Sequence, residues 1–196
     1  MAQLNEFMTR IDLSVLNDYV AANGKSVVYA KGERIVQQGQ LCRYVGVVKS
    51  GYFKYVALNS KGHEVVTGFS FAGEVVTDYV QGFLYDQPSL TSIVAGCDAE
   101  VQRVSVEDAR RFIIERNPGF VAEVSSNLLQ EAYCRYLNML VKTPTERFHE
   151  LVSRHPGVTH HLPIQEIASY LGISRRQLHR IREAESAADA SESEDI

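Results

Sequence analysis

The sequence predicts an α+β protein: an N-terminal all-β sandwich or barrel, a long helix, and a small helical head. Three observations carry this. Seven short β-rich runs between 25 and 106 are separated by turn signals. From Ser105 onward the apolar spacing becomes helical. At 163–182 two short helical patterns flank a glycine.

In segment 3–22, Leu4, Phe7, Met8, Ile11, Val15, Leu16, Tyr19 and Val20 recur at helical spacing, and Asn23-Gly24 supplies a stop. The predicted strands are Ser26–Tyr29, Arg34–Val36, Tyr44–Val48, Tyr52–Leu58, Glu64–Phe71, Ser92–Val94 and Glu100–Val104. Turns between them carry Gly32, Gly39, Gly51, Gly62 and Gly73. Ser105 followed by Asp108 reads as a helix N-cap for 105–115. Asn117-Pro118 restarts a helix that runs to about Lys142, where Thr143-Pro144 breaks it. This long helix is apolar on more than one face, from Phe120 and Val124 to Tyr133, Tyr136 and Leu140. A single stripe would suffice for one neighbour. It is therefore either a dimerisation helix or an internal helix of a monomeric core. A short helix, 144–154, follows.

The most specific pattern is at 163–182. Ile164, Ile167, Ala168 and Leu171 form the inner stripe of a first helix, with Ala168 small where a second helix crosses. Gly172 frees the backbone for a tight turn, Ile173 plugs it and Ser174 caps the next helix. Leu178 and Ile181 face inward. The outward positions are Arg175, Arg176, Gln177, His179, Arg180 and Arg182. Arg can grip guanine edges bidentately, Gln can grip adenine, and Arg also neutralises phosphate. A helix-turn-helix that reads double-stranded DNA accounts for this pattern. The plainer alternative is a solvated basic helix in a small bundle.

The chain has 196 residues, 45% hydrophobic and 22% charged, with a formal charge of −4. That composition excludes disorder over most of the chain, but the acidic total conflicts with DNA binding. The conflict dissolves by segment. Residues 1–142 hold 14 basic and 15 acidic side chains, 143–182 hold six and three, and 183–196 hold six acids and no base. Five of the six histidines also fall in 143–182. The last segment reads as a disordered acidic tail, placed to compete with DNA phosphate for the basic helix before it. Cys42, Cys97 and Cys134 are odd in number and widely spaced, so buried free thiols in a reducing cytoplasm are expected. The opening MAQLNEFMTRIDL lacks the apolar core of a signal peptide, and no run approaches the ~18 apolar residues of a membrane span.

With these motifs in place, the chain resembles the Crp/Fnr family of bacterial transcription regulators over nearly its whole length. Lys31-Gly32-Glu33, Gln38-Gly39, Gly51 and Lys61-Gly62 are similar to turns of that family's β-roll, 118–141 falls where its dimer helix belongs, and Ser174, Arg175, Arg176 and Arg180 match its DNA-contacting positions. The resemblance implies a jelly-roll-like β-roll sensor over 1–116, a dimerisation helix over 117–142, a helix-turn-helix domain over 143–182 and the tail 183–196. It implies a cytoplasmic, non-enzymatic, homodimeric regulator that binds DNA and works with RNA polymerase under a small-molecule effector.

Two departures stand out. Cyclic-nucleotide-binding members carry a Gly-Glu pair and, further on, an Arg-Ser pair whose Arg neutralises the cyclic phosphate. Here these positions fall on Thr77-Asp78 and Pro88-Ser89, and no Lys or Arg lies between Asp78 and Val94. A buried phosphate would lack its cation, so cyclic AMP is not expected in a pocket formed by Thr77, Asp78, Pro88 and Ser89. Glu74, though it follows a glycine, belongs to the turn before that cassette. No β-hairpin wing follows the recognition helix either.

Other classes fit less well. A cupin-like metal enzyme needs clustered His and carboxylate ligands, and His63-Glu64 alone offers itself. Haem lacks an axial ligand, since His63 sits beside a turn and Met139 reads as core. No metal or cofactor is expected. A non-DNA interaction module is the remaining alternative and predicts no salt-dependent DNA affinity.

Overall fold

The computed structural model describes residues 4–194, with side chains through Ala184. The chain divides into two compact units, one spanning 5–133 and the other beginning at Cys134. The first unit holds eight antiparallel strands: β1 (Lys25–Tyr29), β2 (Arg34–Val36), β3 (Tyr44–Ser50), β4 (Tyr52–Leu58), β5 (Glu64–Phe71), β6 (Val75–Val76), β7 (Ser92–Ala95) and β8 (Ala99–Ser105). They form two sheets, in the orders β1-β8-β3-β6 and β2-β7-β4-β5. This is the β-roll.

Turn chemistry sets the strand ends. In the β4–β5 hairpin the Asn59 carboxamide oxygen accepts from the N–H groups of Lys61 and His63, at 2.9 and 3.0 Å. That local bond holds the chain in the turn and leaves His63 exposed. The roll interior is filled by Tyr29, Val36, Val48, Phe53, Ile93 and Val101, with Cys42 buried among them. Burying a side chain the size of Phe53 stabilises the roll by about 1.5–3 kcal/mol.

A second core lies where α1 (Ser14–Asn23), α2 (Val106–Arg116) and the start of α3 (Phe120–Val141) meet the first sheet. Leu16, Val20, Val45, Val104, Ala109, Ile113, Phe120 and Val124 fill it. Ser105 caps α2 as expected, its hydroxyl accepting from Asp108 N–H at 3.0 Å.

The structure corrects three expectations. The helix expected over 3–22 is broken into a 3-10 turn, Glu6–Arg10, and α1. The Asp12 carboxylate accepts from Ser14 N–H at 3.0 Å, and this competing bond interrupts the helix. Strand β6 and a π-helical turn, Tyr79–Leu84, were not anticipated. The segment expected to be a disordered tail, 183–196, is helical through Glu194, and its last two residues lie outside the described ones. Ala184, Ala187, Ala188 and Ala190 are strong helix formers, and extending an existing helix avoids the cost of nucleation.

The second unit carries the end of α3, then α4 (Pro144–Arg154), α5 (Val158–His161), α6 (Ile164–Tyr170) and α7 (Arg175–Glu194). Thr143 and Glu146 cap α4 reciprocally, and Pro144 opens it. Among the described residues no helix is long and apolar enough to cross a membrane.

Candidate functional site

The helix-turn-helix is present at the expected residues. Ile167, Ala168 and Leu171 are buried, and Leu178, on the second helix, is fully buried. Gly172 sits at φ +68°, the left-handed region. Its N–H donates to Ser169 O at 3.0 Å, and Ile173 N–H donates to Ala168 O at 3.0 Å. This is a Schellman motif ending α6. A Cβ at Gly172 would come within 2.6 Å of Met139 Cε on α3, a flexible side-chain end that can yield, so it is the positive φ that requires glycine.

Two further carbonyls at this helix end accept from arginines. Arg135 of α3 donates to Tyr170 O at 3.2 Å and stacks on the Tyr170 ring at 3.9 Å. Arg147 of α4 donates from Nε to Leu171 O at 3.2 Å and from Nη1 to Lys142 O at 2.7 Å. Neither arginine was singled out from the sequence. On a helix an arginine reads as a solvated charge until its partner is known.

Arg175, Arg176, Gln177, His179, Arg180 and Arg182 are all exposed while Leu178 between them is buried. Ser174 caps the helix, its Oγ accepting from Gln177 N–H at 3.2 Å. The Gln177 carboxamide oxygen in turn accepts from Ser174 N–H at 3.0 Å and from Ser174 Oγ at 3.1 Å. This is a capping box. A bidentate adenine contact needs that same oxygen, so Gln177 must leave the cap to read a base. Arg175 Nε donates to His179 Nε2 at 3.3 Å, aligning two exposed side chains one turn apart. Nearby, Glu150 takes up Lys142 at 2.9 Å and Arg154 at 3.8 Å, so those two cations are paired within the head.

In the first unit, two of the four residues assigned to an effector pocket, Asp78 and Ser89, meet. Ser89 is buried, and its hydroxyl donates to the Asp78 carboxylate. The other Asp78 oxygen caps the π-helical turn, accepting from Gln81 N–H at 3.0 Å. Thr77 Oγ1 donates to Tyr44 O at 3.0 Å. Pro88 is exposed and pairs with Leu41 at the rim. Glu74 accepts from Asn5 Nδ2 at 2.6 Å and from Phe71 N–H at 3.0 Å, so it locks the turn before the cassette. Burial pushes the Glu74 carboxyl above its usual pKa against those bonds.

Tyr55 and Tyr79 carry no functional mark in the sequence. The Tyr55 hydroxyl accepts from Thr77 N–H at 3.4 Å and donates to Thr77 O at 3.2 Å. It thereby engages both backbone groups next to Asp78. The Tyr79 hydroxyl meets Val121 O and Ser125 Oγ on α3, each at 3.0 Å. In an alternating strand such as β4, a tyrosine reads as ordinary core, and its partner lies 22 residues away. Burial pushes the Tyr55 hydroxyl up to about 12. An unfolded chain ionises its tyrosines near 10, so between pH 10 and 12 the unfolded state has lost a proton that the folded state keeps. Stability falls through that window, and Tyr55→Phe flattens the fall; equal slopes for both proteins in alkaline urea melts would contradict the assignment.

Among the described residues no group of three or more His, Cys, Asp and Glu side chains comes together.

Comparison with known proteins places these features. Residues 26–116 match the family model of the cyclic nucleotide-binding domain. No curated protein matches the chain in sequence. Among solved structures, FixK2 from Bradyrhizobium japonicum is 21% identical, with 85% of this chain and 86% of that one covered, at a TM-score of 0.69. The c-di-GMP responsive global regulator CLP of Xanthomonas campestris is 18% identical over 91% and 93%, at 0.67. A CooA mutant from Carboxydothermus hydrogenoformans is 17% identical over 86% and 79%, at 0.67. The chain thus shares its fold, β-roll, long helix and helical head together, with Crp/Fnr-type regulators.

Proposed function

We propose that this protein is a homodimeric, sequence-specific DNA-binding transcription regulator of the Crp/Fnr type, and not an enzyme. The observation that carries the reading is α7: an exposed face of four arginines, seated by the buried Leu178 on a Schellman turn. Ser174 and the first-turn arginines approach phosphate and base edges in the major groove. The likeness of fold to FixK2 and CLP supports it. A cytoplasmic site of action and RNA polymerase as a partner follow from the reading.

Dimerisation rests on α3. Leu129, Tyr133, Tyr136 and Leu140 are 71, 59, 60 and 64% exposed. Their spacing alternates four, three and four residues, as in a coiled-coil seam. A second copy of α3 supplies the missing apolar partner, and the two α7 helices then meet half-sites roughly 34 Å apart on a near-palindrome.

The effector segment takes no cyclic AMP in this reading. Asp78 presents a carboxylate already bonded to Ser89, and Tyr55 occupies the backbone groups of Thr77. A cyclic phosphate there would meet an anion instead of an arginine. Any effector is a molecule of different chemistry. Calorimetric titration with cyclic AMP gives no binding heat; a saturable isotherm would overturn this part of the reading.

The decisive test is DNA selected from a random pool, followed by anisotropy titration. Arg175→Ala, Arg176→Ala and Arg180→Ala each weaken binding by about 1–3 kcal/mol and relax preference at one base position. Selection that yields no enriched sequence, or three variants that bind as tightly as the parent, would remove the assignment.

A further inference from the structure

The arginines that meet the helix-turn-helix from behind have no counterpart among the residues assigned to DNA. Arg135 and Arg147 arise on different helices and converge on consecutive carbonyls, Tyr170 O and Leu171 O. These carbonyls lie at the negative end of α6, where cations are favoured and helix carbonyls lack internal partners. Both guanidiniums are half-buried, and Arg147 also holds Lys142 O, the carbonyl just past α3. Met139, one turn along α3 from Arg135, fills the space left by the missing Gly172 side chain. The turn that launches α7 is thus held by three side chains that do not belong to the motif.

We propose that Arg135 and Arg147 are positioning residues for DNA recognition: a clamp that fixes the direction of α7 relative to the end of α3 without touching DNA. This rests on the regulator reading above and adds a mechanism for its specificity. A bidentate base contact tolerates little angular error, because two donors must meet two acceptors at once. Phosphate contacts tolerate more, since charge attracts from any direction and counterion release carries no sequence information. Loosening the clamp therefore costs specific binding first.

The measurement is the affinity of full-length protein for its selected site and for a scrambled duplex of equal length, each across a salt series. Arg147→Ala and Arg135→Ala lower specific affinity about tenfold while leaving non-specific affinity and salt slope within about twofold of the parent. Arg147→Lys keeps the charge but cannot bridge Leu171 O and Lys142 O with a planar fork, so it also loses specificity. It serves as the test should Arg147→Ala fail to fold. A merely structural role would reduce the active fraction and lower both affinities in parallel, leaving their ratio fixed. A fixed ratio, or a reduced salt slope showing direct phosphate contact, overturns the proposal. A parent protein that does not distinguish the two duplexes would instead overturn the regulator reading itself.

Discussion

Glutamate at two positions of α3, Tyr136→Glu with Leu140→Glu, leaves the protein monomeric at micromolar concentration and weakens binding to its palindromic site by about 100-fold or more. Both side chains are largely exposed in the isolated chain, so neither substitution removes a core contact. In the proposed dimer they face their own symmetry mates. A two-fold axis doubles every gain and every penalty along the seam. Each of the seam's four large side chains gains up to about 1.5–3 kcal/mol when a partner removes it from water. Association costs an estimated 4–15 kcal/mol, so the margin is thin enough for two pairs of facing carboxylates to reverse it. DNA affinity falls because the second half-site is bound almost for free once the first is held, and a monomer loses that advantage. Sedimentation and anisotropy on full-site and half-site duplexes measure the two effects separately. A double variant that still sediments as a dimer would place the interface elsewhere, and one that is monomeric yet binds the full site unchanged would refute the palindromic mechanism.

What the sequence disclosed follows the range of the interactions involved. The bounds of β2, β4 and β5 are legible to the residue because Gly39, Gly51 and Asn59 to Gly62 punctuate them locally. The helix-turn-helix is equally legible, since inner stripe, turn glycine and cap all lie within twenty residues of one another. Strand β6, only two residues long, carries no period to detect. The break in the first helix turns on one carboxylate, Asp12, choosing a nearby N–H over solvent. The sequence marks Gln177 as an outward, base-contacting candidate; its bond to Ser174, which closes a capping box, emerges only in the structure. The clamp was out of reach altogether. Its bonds span 35 and 24 residues and end on backbone carbonyls, which every residue possesses. The same holds at the effector segment. The resemblance points to Asp78 and Ser89, but Tyr55, which satisfies the backbone of Thr77, carries no local mark.

Leu178→Ala removes the reading head from action while leaving the β-roll folded. Leu178 is fully buried, with Phe148, Leu151, Val158, Leu162, Ile167 and Leu171 also buried in this small unit. Truncating such a residue costs about 2–5 kcal/mol, from lost transfer energy and the cavity left behind. Native domains hold only about 5–15 kcal/mol in all, and small ones sit at the low end. The substitution therefore takes most of the head's stability. Phe53, Ile93 and the other side chains that fill the roll belong to the other compact unit and keep their neighbours. Hydrogen exchange distinguishes the two outcomes directly. Amides of α6 and the first turns of α7 lose protection, those of β3, β4 and β8 keep it, and specific DNA binding disappears. Leu178→Met, which conserves volume, costs less than about 1.5 kcal/mol and restores binding. Were both variants to lose binding with α6 still protected, position 178 would contact DNA itself, and α7 would present a different face to the groove.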